Sequence, residues 1–151
     1  MPALAICGDS NAGSDRSRGK TSQCLRDILP KCTAVFSLGH AGATAGPGVN
    51  SFVKTDSFAK ALSFEPRVMV IMLGANDADS KSKKSEIGFK KGLEDMSARL
   101  RKTVPSCHVF LVEALGIKPS ISGRLNIVRK AADDFVTEHE GWELVSVETL
   151  G

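Results

Sequence analysis

Short apolar runs separated by longer amphipathic stretches recur along these 151 residues. That alternation constrains the fold more than any single motif. Runs of this length rich in Val, Ile, Leu and Ala read as strands covered on both faces, and strands alternating with helices read as βαβ units on a parallel sheet. Strands are predicted at Ala3 to Cys7, Thr33 to Leu38, Arg67 to Leu73, His108 to Glu113 and Trp142 to Val147. Helices are predicted at Thr21 to Leu29, across residues 50 to 63, at Ser85 to Thr103 and at Ser122 to His139. Pro30 and Pro105 close the first and third helices, since proline cannot continue the hydrogen-bond ladder.

The helical period assigns core positions. Phe52, Phe58, Ala59 and Leu62 are candidates on the second helix, and Ile87, Leu93, Met96 and Leu100 on the third. Leu125, Val128, Ala132, Phe135 and Val136 share one stripe of the fourth. Arg67 to Leu73 is the most apolar strand and should be central. Five strands and four helices predict one α/β domain over residues 1–151, a three-layer sandwich with right-handed crossovers.

Several function classes fall away on composition. A net charge of +3 is too small for a nucleic-acid footprint. Lys81, Lys83, Lys84, Lys90 and Lys91 cluster, but Asp77, Asp79, Glu86, Glu94 and Asp95 are interleaved with them, as on a solvated surface. Cys7, Cys24, Cys32 and Cys107 form no CxxC pair, which argues against structural zinc. The amino terminus MPALAIC lacks a basic leader, and no apolar run reaches bilayer length. A cytoplasmic protein is expected, with no membrane span, no metal and no organic cofactor.

In a doubly wound sheet the functional groups gather beyond the carboxyl ends of the strands. Three of those ends carry unusual polar chemistry. Gly8-Asp9-Ser10-Asn11 follows the first strand, His40-Ala41-Gly42-Ala43-Thr44 the second, and Gly74-Ala75-Asn76-Asp77 the third. A hydroxyl, a backbone N–H freed by glycine and a side-chain amide together suit attack on a carbonyl and stabilisation of its oxyanion. Taken singly, each segment also reads as an ordinary cap or turn.

The segments ICGDSNAG, HAGAT and VIMLGAND resemble the first three blocks of the SGNH (GDSL-type) hydrolases, in order and at matching strand ends. The resemblance implies the flavodoxin-like strand order 2-1-3-4-5 and a small acyl-ester substrate. It further implies Ser10 as nucleophile, with an oxyanion hole from the Ser10 and Gly42 N–H groups and Asn76. One block departs. The family carries Asp-x-x-His after the last strand, and none of His40, His108 or His139 stands three residues after an Asp. The block and the final helix are expected to be missing.

His108 and His139 should lie at the amino edge of the sheet. His40 is therefore the candidate substitute base, with Glu113 and Glu148 as carboxylates that would orient it. A missing last helix would bare apolar surface, so a second copy, a protein partner or a longer chain is expected to cover it. Two other readings stand beside the esterase. One is a non-catalytic module of the same fold. The other is a phosphate loop at Gly13 to Thr21, whose spacing is one residue too long.

Overall fold

The sheet is entirely parallel, and its register is continuous across five strands. β1 (Ala3–Gly8) pairs with β2 (Ala34–Gly39) on one side and with β3 (Val68–Met72) on the other. β3 pairs with β4 (His108–Val112), and β4 with β5 (Trp142–Val145), giving the order β2-β1-β3-β4-β5. This is the predicted order. The computed structural model describes residues 2–12, 20–31, 33–79, 85–114 and 122–146. Most of the Gly13 to Thr21 loop, the 115–121 segment, Val147 and Glu148 lie outside the described residues.

The connecting helices are α1 (Lys20–Ile28), α2 (Asp56–Ser63), α3 (Ala75–Asp79), α4 (Ser85–Thr103) and α5 (Ser122–Glu138). Helices α2, α4 and α5 cover one face of the sheet, where Ala5, Cys7, Met69, Ile71, Val109 and Leu111 join Phe58, Leu93, Met96 and Phe135 in one core. Leu25 and Leu29 pack on the other face over Leu4, Ile6 and Val35. The buried Cys7 and Cys107 thiols are pushed up by burial, Cys107 to about 11, so both stay protonated and pack as small apolar groups.

Coverage of that second face is uneven. β1 is buried along nearly its whole length, whereas Val68, Val70 and Met72 of β3 are only half-buried. His108, Phe110 and Val112 of β4 repeat the pattern, and His108 pairs there with Glu143 of β5. Among the described residues no helix lies over β3 and β4 on this side.

Two helical details differ from the sequence reading. Residues 50 to 63 are not one helix. A 3-10 turn at Phe52–Lys54 ends at Thr55, whose hydroxyl donates to Phe52 O and accepts from Phe58 N, capping α2. Restarting the helix there shifts its phase, so Ala61 is buried and Ala59 exposed. On α4 the buried row is Phe89, Leu93, Met96 and Leu100, and Ile87 is 75% exposed. Only the first member of that row was misplaced: Phe89 stands one helical turn before Leu93, whereas Ile87 stands about a third of the way round the helix from it.

Truncating Phe135, fully buried against Trp142 and His139, should cost about 3–5 kcal/mol as Phe135→Ala. Ile87→Ala should stay within about 0.5 kcal/mol of the parent. Urea unfolding of both variants checks the contrast.

Candidate active site

The carboxyl edge is assembled by backbone bonds that continue the ladders beyond the strands. Gly8 closes β1 at φ +142°, and a Cβ there would lie 2.0 Å from Met72 O, so only glycine lets β1 turn against β3 at this point. Asp9 N donates to Met72 O. The chain then folds into a turn in which Ala12 N donates to Asp9 O and Asn11 N to Asp9 Oδ1 at 2.8 Å. Ser10 sits half-buried at the second position of that turn. Ser37 Oγ of β2 donates to Ala12 O and ties the far side of the turn to the sheet.

The segment after β2 lies beside this turn, because His40 N donates to Gly8 O at 2.8 Å. Ala43 N closes on His40 O, and Gly42 between them takes the left-handed conformation, φ +76°. The lobe beyond it is held by Thr44, which donates to Asn50 O and accepts from Phe52 N.

Two adjacent residues of α3 fix this loop with opposite polarity. Asn76 Nδ2 donates to Ala43 O at 2.9 Å. The buried Asp77 carboxylate accepts from Ala45 N at 3.0 Å and Gly46 N at 2.8 Å. The sequence reading set Asp77 among the acids of a solvated surface; the structure buries it instead, because its carboxylate is turned onto the backbone N–H groups of this loop. Burial is the largest influence on the Asp77 carboxyl and raises it above its ordinary 3.8. The N–H groups of Gly46, Ala45 and Asp77 itself pull it down, and the nearby Asp9 carboxylate pushes it up again. Helix α4 presses on the same loop, where a Cβ on Gly92 would come within 1.7 Å of Ala45 O.

Ser10, Gly42 and Asn76 therefore stand on one edge of the sheet, at the ends of β1, β2 and β3. Among the described residues neither the Ser10 nor the Gly42 N–H has an acceptor. His40 stands on this edge too, exposed, with no described partner orienting its ring. Glu113 does not reach it. The sheet order places three strand intervals, roughly 14 Å, between the ends of β2 and β4. His108 and His139 open β4 and precede β5 at the amino edge, as expected. Among the described residues no cluster of His, Cys, Asp or Glu is gathered to hold a metal ion, and no helix is long and apolar enough to cross a membrane.

Comparison with known proteins places these features in context. The model described as the GDSL-like Lipase/Acylhydrolase family matches residues 6–146. A lipase/acylhydrolase structure from Enterococcus faecalis superposes with a TM-score of 0.75 at 20% identity, over 99% of this chain and 78% of that one. The psychrotrophic esterase EstA from Pseudoalteromonas sp., solved with monoethylphosphonate as inhibitor, gives 0.74 at 15% identity, over 99% and 79%. The TesA structure gives 0.70 at 19% identity, over 94% and 76%. No curated protein matches by sequence.

The raised Asp77 carboxyl has a signed consequence for stability. A group whose folded value lies above its unfolded one binds its proton more tightly in the folded chain, so stability falls as pH rises through that window. The unfolding free energy of the parent minus that of Asp77→Asn should therefore fall as pH rises from 3.8 through the raised folded value, then level off. Urea unfolding of both proteins across this range measures it. A difference that grows with pH would mean that the two N–H bonds outweigh the cost of burial.

Proposed function

From the premise that this chain belongs to the GDSL-like lipase/acylhydrolase family, we propose that it is a serine ester hydrolase acting on small acyl esters through an acyl-enzyme on Ser10. The observation that carries this reading is the Asn76 amide. One of its N–H groups holds Ala43 O, in the loop that presents Gly42 beside the Ser10 turn. An amide has two donors, so the second remains for a ligand oxygen.

The chemistry follows from that arrangement. Ser10 Oγ attacks the ester carbonyl carbon as its proton leaves. The carbonyl oxygen gains the charge and is met by the Ser10 and Gly42 N–H groups and by Asn76 Nδ2. Fixed donors of this kind act where the charge develops and need no reorganisation. Collapse expels the alcohol, which takes back a proton, and water then cleaves the acyl-serine by the same route. The proton requires an acceptor, and the family's Asp-x-x-His is not found in this sequence. His40 is one candidate on the correct edge. A second reading is a non-catalytic module of the same fold, which binds rather than cleaves.

Hydrolysis of p-nitrophenyl acetate and covalent labelling by a fluorophosphonate test the choice. The esterase reading expects one adduct on the intact protein, with both activity and adduct lost in Ser10→Ala. It expects Asn76→Ala to lose about 10²–10³-fold in kcat. No activity above Ser10→Ala and no adduct would support the binding module.

A further inference from the structure

Gly42 owes its position to the chain on either side of it. It is exposed, and nothing lies within 4 Å of the place a Cβ on it would occupy. On the upstream side His40 N ties the loop to Gly8 O at the end of β1. On the downstream side, among the described residues, the hydrogen bonds that reach residues 43 to 46 from outside the loop come from α3. Asn76 holds Ala43 O, and Asp77 takes Ala45 N and Gly46 N. Thr44 bonds within the loop, to Asn50 and Phe52.

The Asp77 contact is the most exacting of these. Each carboxylate oxygen serves one of two consecutive N–H groups, Oδ2 for Ala45 at 3.0 Å and Oδ1 for Gly46 at 2.8 Å. A two-point contact fixes direction as well as distance. It also needs the charge. An ionised carboxylate accepts at both oxygens, whereas a protonated carboxyl or an amide keeps one good acceptor and presents hydrogen at the other position. Asp77 is buried, and the charged group that bears on it from another element is Asp9 at the end of β1. Helix α4 turns Gly88 and Gly92 toward this loop, and Arg129 of α5 donates to Ala114 O.

We infer that Asp77 is a positioning residue for the oxyanion site: through Ala45 and Gly46 it sets where the Gly42 N–H stands beside Ser10. The inference rests on the esterase reading and adds to it a residue that touches no substrate. The ionised form seats the loop for reaction. The neutral form leaves one N–H unmatched, and Gly42, with no packing of its own, moves with the loop. A misplacement of about 1 Å at a reacting centre can cost about 10²-fold in rate.

The test compares the parent with Asp77→Asn, an isostere of the neutral carboxyl, over the pH window of the unfolding experiment above. Hydrolysis of p-nitrophenyl acetate and the rate of fluorophosphonate labelling are followed. A final yield of one adduct per chain establishes that both proteins are fully reactive, so that rates alone are compared. At the upper end of the window Asp77→Asn should be about ten- to a hundred-fold slower in kcat and in labelling, with KM little changed, because the oxyanion charge develops only in the transition state. As pH falls through the Asp77 titration the two rates should converge, since the parent then carries a neutral group too. Any proton acceptor at Ser10 titrates in both proteins and cancels from the ratio. The rate ratio thus rises with pH while the stability difference falls, and a rate loss caused by unfolding would follow the stability difference instead.

The parent also answers alone, whether or not Asp77→Asn folds. In its amide NMR spectrum the Gly42, Ala45 and Gly46 signals should shift together across this window with one midpoint. The inference is overturned if Asp77→Asn keeps the parent's rates, if its loss is equal at every pH or confined to KM, or if Gly42 stays fixed while Ala45 and Gly46 titrate. Those outcomes leave the esterase reading intact. A parent protein that neither labels nor hydrolyses overturns both.

Discussion

The Asp77 carboxylate joins parts of the chain that sequence separates by more than thirty residues. It accepts two successive N–H groups, Ala45 and Gly46, from the loop that follows the edge strand β2. A buried carboxylate is costly, and its charge is tolerated here only because backbone donors converge on it. The neighbouring Asn76 amide takes the Ala43 carbonyl of the same loop. One short helix thus grips one loop from both polarities, and the loop in turn sets where Gly42 stands relative to Ser10. Without that grip the ends of β1, β2 and β3 would still be adjacent, but the Ala43 to Gly46 stretch of the loop would lose its polar anchors to α3.

Much of this was legible from periodicity. Apolar runs of strand length place β1 to β5 within a residue or two, and the rule that sites lie beyond carboxyl ends selects Ser10, Gly42 and Asn76 from many polar residues. The difficulties have physical causes. Thr55 is compatible with a helix by pattern, yet its hydroxyl serves Phe52 O and Phe58 N and splits residues 50 to 63 into two elements. Ile87 stands in the predicted stripe leading to Leu93, although the helical period favours Phe89, one turn before Leu93, and the sheet buries Phe89. α3 escapes a period-based reading because five residues are too few to show a period.

The proton acceptor was the least legible part. A histidine and a carboxylate on the same edge look like partners along the sequence, but sheet order converts their strand numbers into distance. β2 is at the edge and β4 lies beyond β3, so His40 and Glu113 flank Ser10 from opposite sides. The amino-edge positions of His108 and His139 follow from strand direction alone, and sequence suffices for them.

Gly92 puts the loop between His40 and Thr55 under the control of α4, a helix distant from it in sequence. Glycine is among the poorest helix formers, about 1 kcal/mol worse than alanine, yet it occupies the middle of the longest described helix at the point where Ala45 O leaves no room for a methyl group. The usual route to a more robust helix, replacing an interior glycine, is closed at this position. Any lineage or library that strengthens α4 there would gain helix propensity and lose the loop's seat. Thermal hardening of this domain therefore has to come from elsewhere in the chain.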